Sequence, residues 1–335
     1  MRILVLGGTA WLGSELVRQA IDGGHEVTSL ARGESGLAPG GARFVRADRD
    51  RREAFGEVDG EQWDAVVDVT RQPGQARRAV EHLGPRVGHW VYVSSSSAYA
   101  DTATPGVDES GALLPALDDE VLRDPEDYGR AKVACERHVL DTIRADHSLI
   151  ARVGLIGGPG DLFGRTGYWP LRFARPADYA GRVLVPSVPG LGVQVIDVRD
   201  LAAWLLDGVE RTISGIFNVG GPTLSLEEHL AVARRVAGHE GTLAEASQDW
   251  LVAHGVEPWA GPRSLPLWLE TPAWAGLNSH DASRAVALGL RARPLEQTLA
   301  DVLAWELEQG ADRPRRAGLT AEDERDLLKA FDGVR

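Results

Sequence analysis

Cysteine is nearly absent from this chain of 335 residues, with Cys135 as the single example. One cysteine excludes an internal disulfide framework, and the first residues run directly into an apolar strand rather than an export signal. The chain also lacks any run of about 18 apolar residues, so we expect no membrane span. Its nine histidines are not placed at metal-binding spacings, and we predict no metal site. Together these absences predict a cytoplasmic protein.

Basic surface is lacking as well. The chain carries 36 lysines and arginines against 49 aspartates and glutamates, which gives a formal net charge of -13. An acidic protein without a stripe of lysine and arginine offers no surface that neutralises phosphates. We therefore predict that neither a nucleic acid nor a membrane is a partner. The hydrophobic fraction of 43% and the charged fraction of 25% are those of a soluble globular protein.

Lysine is the scarcest basic residue, because Lys132 and Lys329 are the only two in a chain that otherwise uses arginine. Lys132 follows Tyr128 by four residues, which places both side chains on one face of a helix. An ammonium beside a phenol stabilises the phenolate and so favours proton transfer near neutral pH. Lysine is also a compact charge that can bind a ribose, unlike the planar arginine fork. We interpret the pair as functional rather than as two ordinary helix residues.

A glycine-rich turn separates an apolar run at residues 2–6 from a segment with helical spacing. Strand, glycine turn and helix in this order are typical of dinucleotide binding, because backbone N–H groups and a helix N-terminus can hold a pyrophosphate. Ala10 stands where a middle glycine is expected, and its methyl group narrows the turn without closing it. A plain strand-to-helix turn is the alternative. Six residues are cofactor-binding candidates here: Gly7, Thr9, Ala10, Trp11, Leu12 and Gly13.

The second predicted strand, residues 25–30, ends at Arg32 without an acidic residue. An acid there would bind the ribose 2'-hydroxyl of NAD, whereas an arginine can pair with the 2'-phosphate of NADP. We therefore favour NADP(H) over NAD(H), with a solvent-exposed Arg32 as the alternative. Asp48, just past the third strand at 42–46, is predicted to contact the adenine. Thr70, just past the fourth strand at 63–69, is predicted to contact the cofactor.

Strands continue to alternate with helical segments, with further strands predicted at 89–93 and 148–156. This alternation predicts an α/β fold with a doubly wound parallel sheet of the Rossmann type, whose ligands bind at the carboxyl ends of the strands. From residue 161 glycine, proline and tryptophan are scattered among short elements, which suits a smaller C-terminal α/β substrate lobe. Tyr168 and Trp169, near the start of that lobe, are candidates for substrate contact.

Four serines at 94–97 follow the fifth strand and lead to Tyr99. A hydroxyl at this strand end could hold a substrate oxygen beside the Tyr128 phenol. Together with the glycine turn, the Tyr128 and Lys132 pair and the segment 194–200, these residues make the chain resemble the extended short-chain dehydrogenase/reductase group, also called the NAD-dependent epimerase/dehydratase family. Ser96 and Tyr99 are further candidates for substrate contact.

The resemblance implies roles for three residues. It implies Tyr128 as general acid/base, Lys132 as a contact of the nicotinamide ribose and the phenol, and Ser95, four residues before Tyr99, as the catalytic serine. It also implies that 200–220 return to a dinucleotide-binding domain at 1–160. The substrate lobe and C-terminal helices would then comprise 161–199 and 221–335. A homodimer is a further expectation from the family.

The predicted substrate is a small molecule. Many relatives act on nucleotide sugars and carry an asparagine and an arginine where this chain has Leu155 and Val193–Gln194, which would compensate a diphosphate poorly. We expect an NAD(P)-dependent oxidoreductase that moves hydride between nicotinamide and a carbonyl or alcohol carbon. One alternative is a sugar epimerase or dehydratase that retains its cofactor. The other is a non-enzymatic relative that senses a cofactor or associates with RNA.

Overall fold

The computed structural model describes residues 1–310 and 313–333. Its strands are β1 (Arg2–Leu6), β2 (Glu26–Ala31), β3 (Arg43–Arg46), β4 (Trp63–Asp68), β5 (Val87–Ser95), β6 (Ser148–Val153), β7 (Leu155–Gly157), β8 (Val183–Ser187), β9 (Gly192–Asp197), β10 (Gly215–Val219), β11 (Thr223–Ser225), β12 (Leu243–Ser247), β13 (Glu257–Pro258) and β14 (Ser264–Leu265). Its helices are α1 (Trp11–Asp22), α2 (Pro73–Leu83), α3 (Tyr128–Thr142), α4 (Tyr168–Ala174), α5 (Val198–Glu210), α6 (Leu226–Val236), α7 (Gln248–Ala253), α8 (Ser283–Ala287), α9 (Leu295–Gln309) and α10 (Ala321–Asp332).

Seven strands form one parallel sheet in the order β10-β6-β5-β4-β1-β2-β3. Helices α1 and α5 supply the core on one face, and α2 and α3 supply the core on the other. Because both faces are covered, the central strands are near-continuous apolar runs rather than alternating ones, and residues 3–6 of β1 are fully buried. The predicted doubly wound parallel sheet is therefore confirmed. Its strand order reverses between β1 and β4, which is where such sheets open on a ligand.

A second hydrophobic core lies in the C-terminal part of the chain. Strands β8 and β12 pair in parallel, and α4, α6, α9 and α10 pack around a core that contains Trp169, Phe173 and Trp268. Strand β10 pairs with β6 at the edge of the large sheet, and α5 precedes it along the chain. The division of the chain into a cofactor domain and a substrate lobe stays a prediction.

The strand predicted at 148–156 is two strands in the structure. β6 ends at Val153, and β7 begins at Leu155 and leaves the large sheet to pair with β9. The N–H of Gly154 donates to the carbonyl of Val219 at 2.9 Å, so the change of partner occurs at this glycine. In the described part of the chain, no helix is long and apolar enough to cross a membrane.

His229 on α6 is a buried histidine of the second core. It is 1% exposed, and within residues 1–310 and 313–333 its Nε2 atom has no hydrogen-bond partner. Burial lowers its pKa to about 4, because the charged ring would have to leave water. In the unfolded chain the same ring binds a proton below about pH 6.5.

We expect this histidine to make the fold acid-sensitive. Between about pH 6.5 and about pH 4 the unfolded state binds the extra proton, so stability falls as the pH falls. From pH 7 to pH 5 the loss through His229 is about 2 kcal/mol. Urea unfolding of the native protein and of His229→Leu at both pH values measures it. The variant should lose less stability on acidification by about that amount, and an identical pH dependence would contradict the assignment.

Candidate active site

A crevice opens at the carboxyl ends of β1, β2 and β4, beside the point where the strand order reverses. It has a volume of about 380 Å³. Its walls come from the glycine turn, the end of β2, and the segments that follow β3 and β4. Among the predicted cofactor contacts, five line this crevice: Gly7, Thr9, Ala10, Arg32 and Thr70.

Only glycine fits at two positions of the turn. Gly7 has a φ of 100°, and a Cβ atom there would lie 2.7 Å from a methyl group of Val69. A Cβ atom on Gly13 would lie 2.2 Å from the carbonyl oxygen of Gly7, so the first turn of α1 approaches the strand end as closely as backbone atoms allow. The close approach leaves backbone N–H groups at the crevice wall, as a bound pyrophosphate requires.

Ala10 does not obstruct this turn. Its backbone is extended (φ -85°, ψ 165°), its side chain is exposed, and it precedes α1 without forming a side-chain cap. The first turn of α1 also contains no acidic residue. The uncapped N-terminus of α1 directly follows Ala10 at the crevice wall, and its partial positive charge suits a phosphate group.

Two of the predicted cofactor contacts brace the turn instead of lining the crevice. Leu12 packs against the core between the sheet and α5. The indole N–H of Trp11 donates to the carbonyl of Pro159 at 2.8 Å, which fastens the segment after β7 to the start of α1.

The end of β2 carries an ion pair that the sequence alone did not suggest. A guanidinium nitrogen of Arg32 lies 3.1 Å from a carboxylate oxygen of Glu34, and both residues line the crevice. An acid is therefore present near the end of β2, three residues after Ala31.

Asp48 is not among the residues that line the crevice, whereas Arg49 and Asp50 are. The Asp48 carboxylate accepts from the N–H of Asp50 at 3.1 Å and so shapes the loop. The adenine contact predicted for Asp48 stays a prediction, although the crevice wall at this point is formed by the two residues that follow it. Arg49 is held in place by a buried ion pair with Asp68 at 2.8 Å.

Lys132 lies at the centre of the site. It is 3% exposed, and its ammonium donates to the carbonyls of Thr70 and Val93, both at 2.7 Å. Those carbonyls belong to the carboxyl ends of neighbouring strands, so the ammonium joins β4 and β5 to α3. An ammonium has three N–H donors, and these two bonds leave one for a ligand.

The Tyr128 ring begins α3 beside this ammonium. Its centroid is 6.0 Å from Nζ of Lys132, and within the described residues its hydroxyl has no hydrogen-bond partner. Residues 94–97 form what we call the serine turn. Helix α3 contacts this turn at Gly129, where a Cβ atom would lie 2.1 Å from the carbonyl oxygen of Ser97. The phenol and the serine turn are therefore brought together by a contact that only glycine permits.

The serine turn presents one buried and one half-buried hydroxyl. Ser95 is 8% exposed, and its Oγ accepts from the N–H of Ser97 at 3.2 Å and lies 3.3 Å from the Ser97 hydroxyl. Ser97 is the half-exposed member, whereas Ser96 is 7% exposed. The structure thus places Ser95 and Ser97 in one hydrogen-bonded pair beside α3.

A buried polar network behind the site was missed in the sequence. Glu136 on α3 forms an ion pair with Arg152 on β6 at 2.8 Å and accepts from the Ser94 hydroxyl at 2.5 Å. Arg152 also donates to the hydroxyl of Tyr99 at 3.1 Å, and that hydroxyl donates to Asn218 at 2.6 Å. The network fixes the rotation of α3 against the sheet. An arginine within an otherwise apolar strand was the available signal.

Three candidates for substrate contact are core residues. Tyr99, Tyr168 and Trp169 are 2%, 4% and 0% exposed. Tyr99 belongs to the buried network, the indole N–H of Trp169 donates to the carbonyl of Pro266 at 2.8 Å, and burial raises the pKa of the Tyr168 phenol. Their burial opposes the predicted contact with substrate, which stays a prediction.

The chain is similar in sequence to a known protein family. Residues 3–82, which include the glycine turn and the crevice walls, match the model described as NAD dependent epimerase/dehydratase family. The family resemblance is confirmed over these residues, which are about a quarter of the chain. That family is NAD-dependent by its description, and the turn, the uncapped helix and the crevice of this chain fit such a dinucleotide.

Individual relatives are distant. The chain is 25% identical over 260 residues to the chloroplast stem-loop binding protein of 41 kDa b of Arabidopsis thaliana, covering 71% of this chain and 63% of that protein. It is 30% identical over 164 residues to 2'-dehydrokanamycin reductase of Streptomyces kanamyceticus, covering 47% of this chain and 43% of that protein. The chain therefore spans less than two thirds of either relative.

A solved structure shares the fold. The Bordetella bronchiseptica enzyme WbmG, in complex with NAD and UDP, matches with a TM-score of 0.66 at 18% identity. The match covers 92% of this chain and 96% of that one. At this identity the likeness establishes the fold.

The turn geometry predicts the effect of adding one methyl group. Gly13→Ala should weaken NADH binding by at least about tenfold, because the new Cβ atom meets the Gly7 carbonyl and must push α1 off the strand end. Fluorescence titration with NADH measures the affinity. Gly56→Ala is the matched control, since a Cβ atom there meets nothing within 4 Å. Equal affinity in both variants would exclude the turn as the binding site.

Proposed function

We propose that this protein is an NAD(P)-dependent oxidoreductase that acts on a carbonyl or alcohol carbon of a small molecule. The observation that carries the proposal is the buried ammonium of Lys132. It lies between two strand-end carbonyls and beside the Tyr128 ring, with one donor uncommitted. A lysine buried without a carboxylate among the described residues is costly unless a ligand or a reaction uses it.

The crevice residues would hold the dinucleotide. Gly7, Thr9 and the N-terminus of α1 bind its phosphates, Thr70 lies along the wall, and Lys132 donates to the nicotinamide ribose. When bound, the nicotinamide supplies the hydride acceptor or donor.

The proton is moved by this chain's own residues. Tyr128 donates a proton to the substrate oxygen on reduction and removes it on oxidation, and the Lys132 ammonium stabilises the negative charge on the phenol in between. The Ser95 hydroxyl, held by Ser97, orients the substrate oxygen. We expect the segment between β7 and α4, with the C-terminal part of the chain, to hold the rest of the substrate.

Tyr128→Phe tests the acid/base role directly. Removing one hydroxyl at the start of α3 leaves the crevice walls in place, so turnover should fall by about 100-fold or more while NADH affinity stays within about twofold. Steady-state assay and fluorescence titration measure the two quantities. His138→Phe, further along the same helix and away from the crevice, is the control. Turnover at the native rate in Tyr128→Phe would refute the assignment.

NADP(H) is our preferred cofactor within this proposal, although NAD is what the family description names. Arg32 lines the crevice, the Arg46 guanidinium lies close to the adjacent Gly33, and both suit a 2'-phosphate. Glu34 opposes this preference, because it neutralises Arg32 and could itself accept a ribose 2'-hydroxyl.

Substitutions of Arg32 and of Glu34 should change the affinity for NADPH in opposite directions. Arg32→Gln should weaken NADPH binding by roughly tenfold and leave NADH nearly unchanged. Glu34→Gln frees Arg32 and should strengthen NADPH binding by about threefold. Calorimetric titration of both dinucleotides measures these changes. Tighter binding of NADH than NADPH by the native protein, with no effect of Arg32→Gln, would assign the site to NAD(H).

A sugar epimerase or dehydratase is the second candidate, because the family description names both reactions. It would use the same residues but retain its cofactor. Mass spectrometry of the purified protein separates the two, since a retained cofactor copurifies in stoichiometric amount.

A non-enzymatic relative is the third candidate, since one relative is named for stem-loop binding. The net charge of -13 opposes nucleic-acid binding. We also keep the homodimer, the cytoplasmic location and the domain boundaries as proposals.

A further inference from the structure

Arg165 lies in the segment between β7 and α4 and is held between two aromatic rings. Its guanidinium carbon is 4.8 Å from the ring centroid of Phe163 and 4.9 Å from that of Trp259. Phe163 belongs to the same segment, whereas Trp259 follows β13 in the C-terminal part of the chain. These two cation–π contacts restrain the guanidinium.

This cation has no acidic partner within residues 1–310 and 313–333. No carboxylate lies within ion-pair distance of it, and its buried Nε atom has no hydrogen-bond partner. Burial lowers the pKa of Arg165, while the Asp161 carboxylate and a charged Tyr128 phenol act in the opposite direction. The Asp161 carboxylate is already used, because it accepts from the N–H of Phe163 at 2.9 Å and the hydroxyl of Thr166 at 3.2 Å.

Other arginines with little exposure to solvent are paired with carboxylates. Arg152 is paired with Glu136, and Arg313 is paired with the fully buried Glu306 at 2.6 Å. A half-buried guanidinium with no counter-ion bears a desolvation cost that a bound anion would remove. The aromatic contacts offset part of that cost.

The segment that carries Arg165 is fixed to the catalytic side of the molecule. Pro159 accepts the indole N–H of Trp11 at 2.8 Å, and Gly160 packs so closely on the same indole that a Cβ atom would lie 2.7 Å from it. Arg165 lies close enough to Tyr128 for the two to interact electrostatically. The segment is therefore fixed to the start of α1, and Arg165 itself contacts Trp259 of the C-terminal part of the chain.

We propose that Arg165 binds an anionic group of the substrate, a carboxylate or a phosphate. The inference rests on the proposed function and narrows it to small oxo or hydroxy acids and phosphate esters. A planar guanidinium binds either anion through two parallel hydrogen bonds. Its rigid position between two rings makes the charge of the substrate a requirement for binding.

The test uses full-length protein saturated with NADP⁺, so that the phosphate-binding turn is already filled. Oxalate and inorganic phosphate are titrated separately by calorimetry into the native protein, Arg165→Met, Arg165→Lys and Arg316→Met. Arg316 is the matched control, because its guanidinium stacks on Phe163 at 5.3 Å and is exposed to solvent. Whichever probe binds more tightly identifies the anion as carboxylate or phosphate.

We expect Arg165→Met to weaken binding of the preferred anion by at least about tenfold. Arg165→Lys should weaken it less, and Arg316→Met should leave it unchanged. Methionine keeps an apolar contact between the two rings, so thermal unfolding should show a similar Tm for Arg165→Met and the native protein. If that variant does not fold, Arg165→Lys decides, since charge without the planar fork should retain part of the affinity.

Three results would overturn the proposal. They are failure of both anions to bind the native protein, equal affinity in Arg165→Met, and equal loss in Arg316→Met. Dinucleotide titration is run on the same samples. Failure of NADPH and NADH to bind the native protein would refute the proposed function, whereas normal dinucleotide binding with an indifferent Arg165 would refute this inference alone.

Discussion

The site depends on one interaction, the burial of the Lys132 ammonium beneath the carbonyls at the carboxyl ends of β4 and β5. The carbonyls of Thr70 and Val93 lie near the ends of these parallel strands, and the ammonium donates a hydrogen bond to each of them. The same contact fixes the first turns of α3 against the sheet. Because Tyr128 begins that helix, the position of the phenol follows from the position of the ammonium.

The surrounding structure keeps this arrangement rigid. Gly129 allows α3 to touch the serine turn, and the ion pair of Glu136 and Arg152 prevents the helix from rotating. Both supports are buried and act on the helix rather than on a ligand. Gly13 has a similar effect on α1, because it lets the first turn of that helix approach the end of β1. The glycine turn and the serine turn are therefore held in place before any ligand binds.

Much of the sheet and the glycine turn could be predicted from the sequence, because their signals are local. An apolar run before glycines, and a lysine four residues after a tyrosine, are complete within a few positions. The burial of side chains could not be predicted in this way, because it depends on contacts between residues far apart in the chain. The Tyr99 hydroxyl meets Asn218, 119 positions away, and the Trp169 indole meets Pro266, 97 positions away. No nearby residue indicated that these aromatic side chains lie in the core rather than at the substrate.

The direction of the loops after β2 and β3, and contacts between distant segments, could not be predicted from the sequence either. Asp48 and Asp50 differ only in which way the loop after β3 turns, and the pairing of Arg32 with Glu34 depends on the path of the chain after β2. Arg165 gave no signal, because its partner Trp259 comes from a distant segment. These side chains define the ligand more than the fold does, and only their positions in space show it.

The most direct test is a crystal structure of the protein with NADP⁺ or NAD⁺ bound, in which the distance from Nζ of Lys132 to the nicotinamide ribose is measured. Our account predicts that a ribose hydroxyl accepts the remaining N–H of Lys132 at about 2.7–3.2 Å, with the nicotinamide beside the Tyr128 hydroxyl. A dinucleotide whose nicotinamide end lies away from β4 and β5, with the Lys132 ammonium contacting only the two carbonyls, would contradict it.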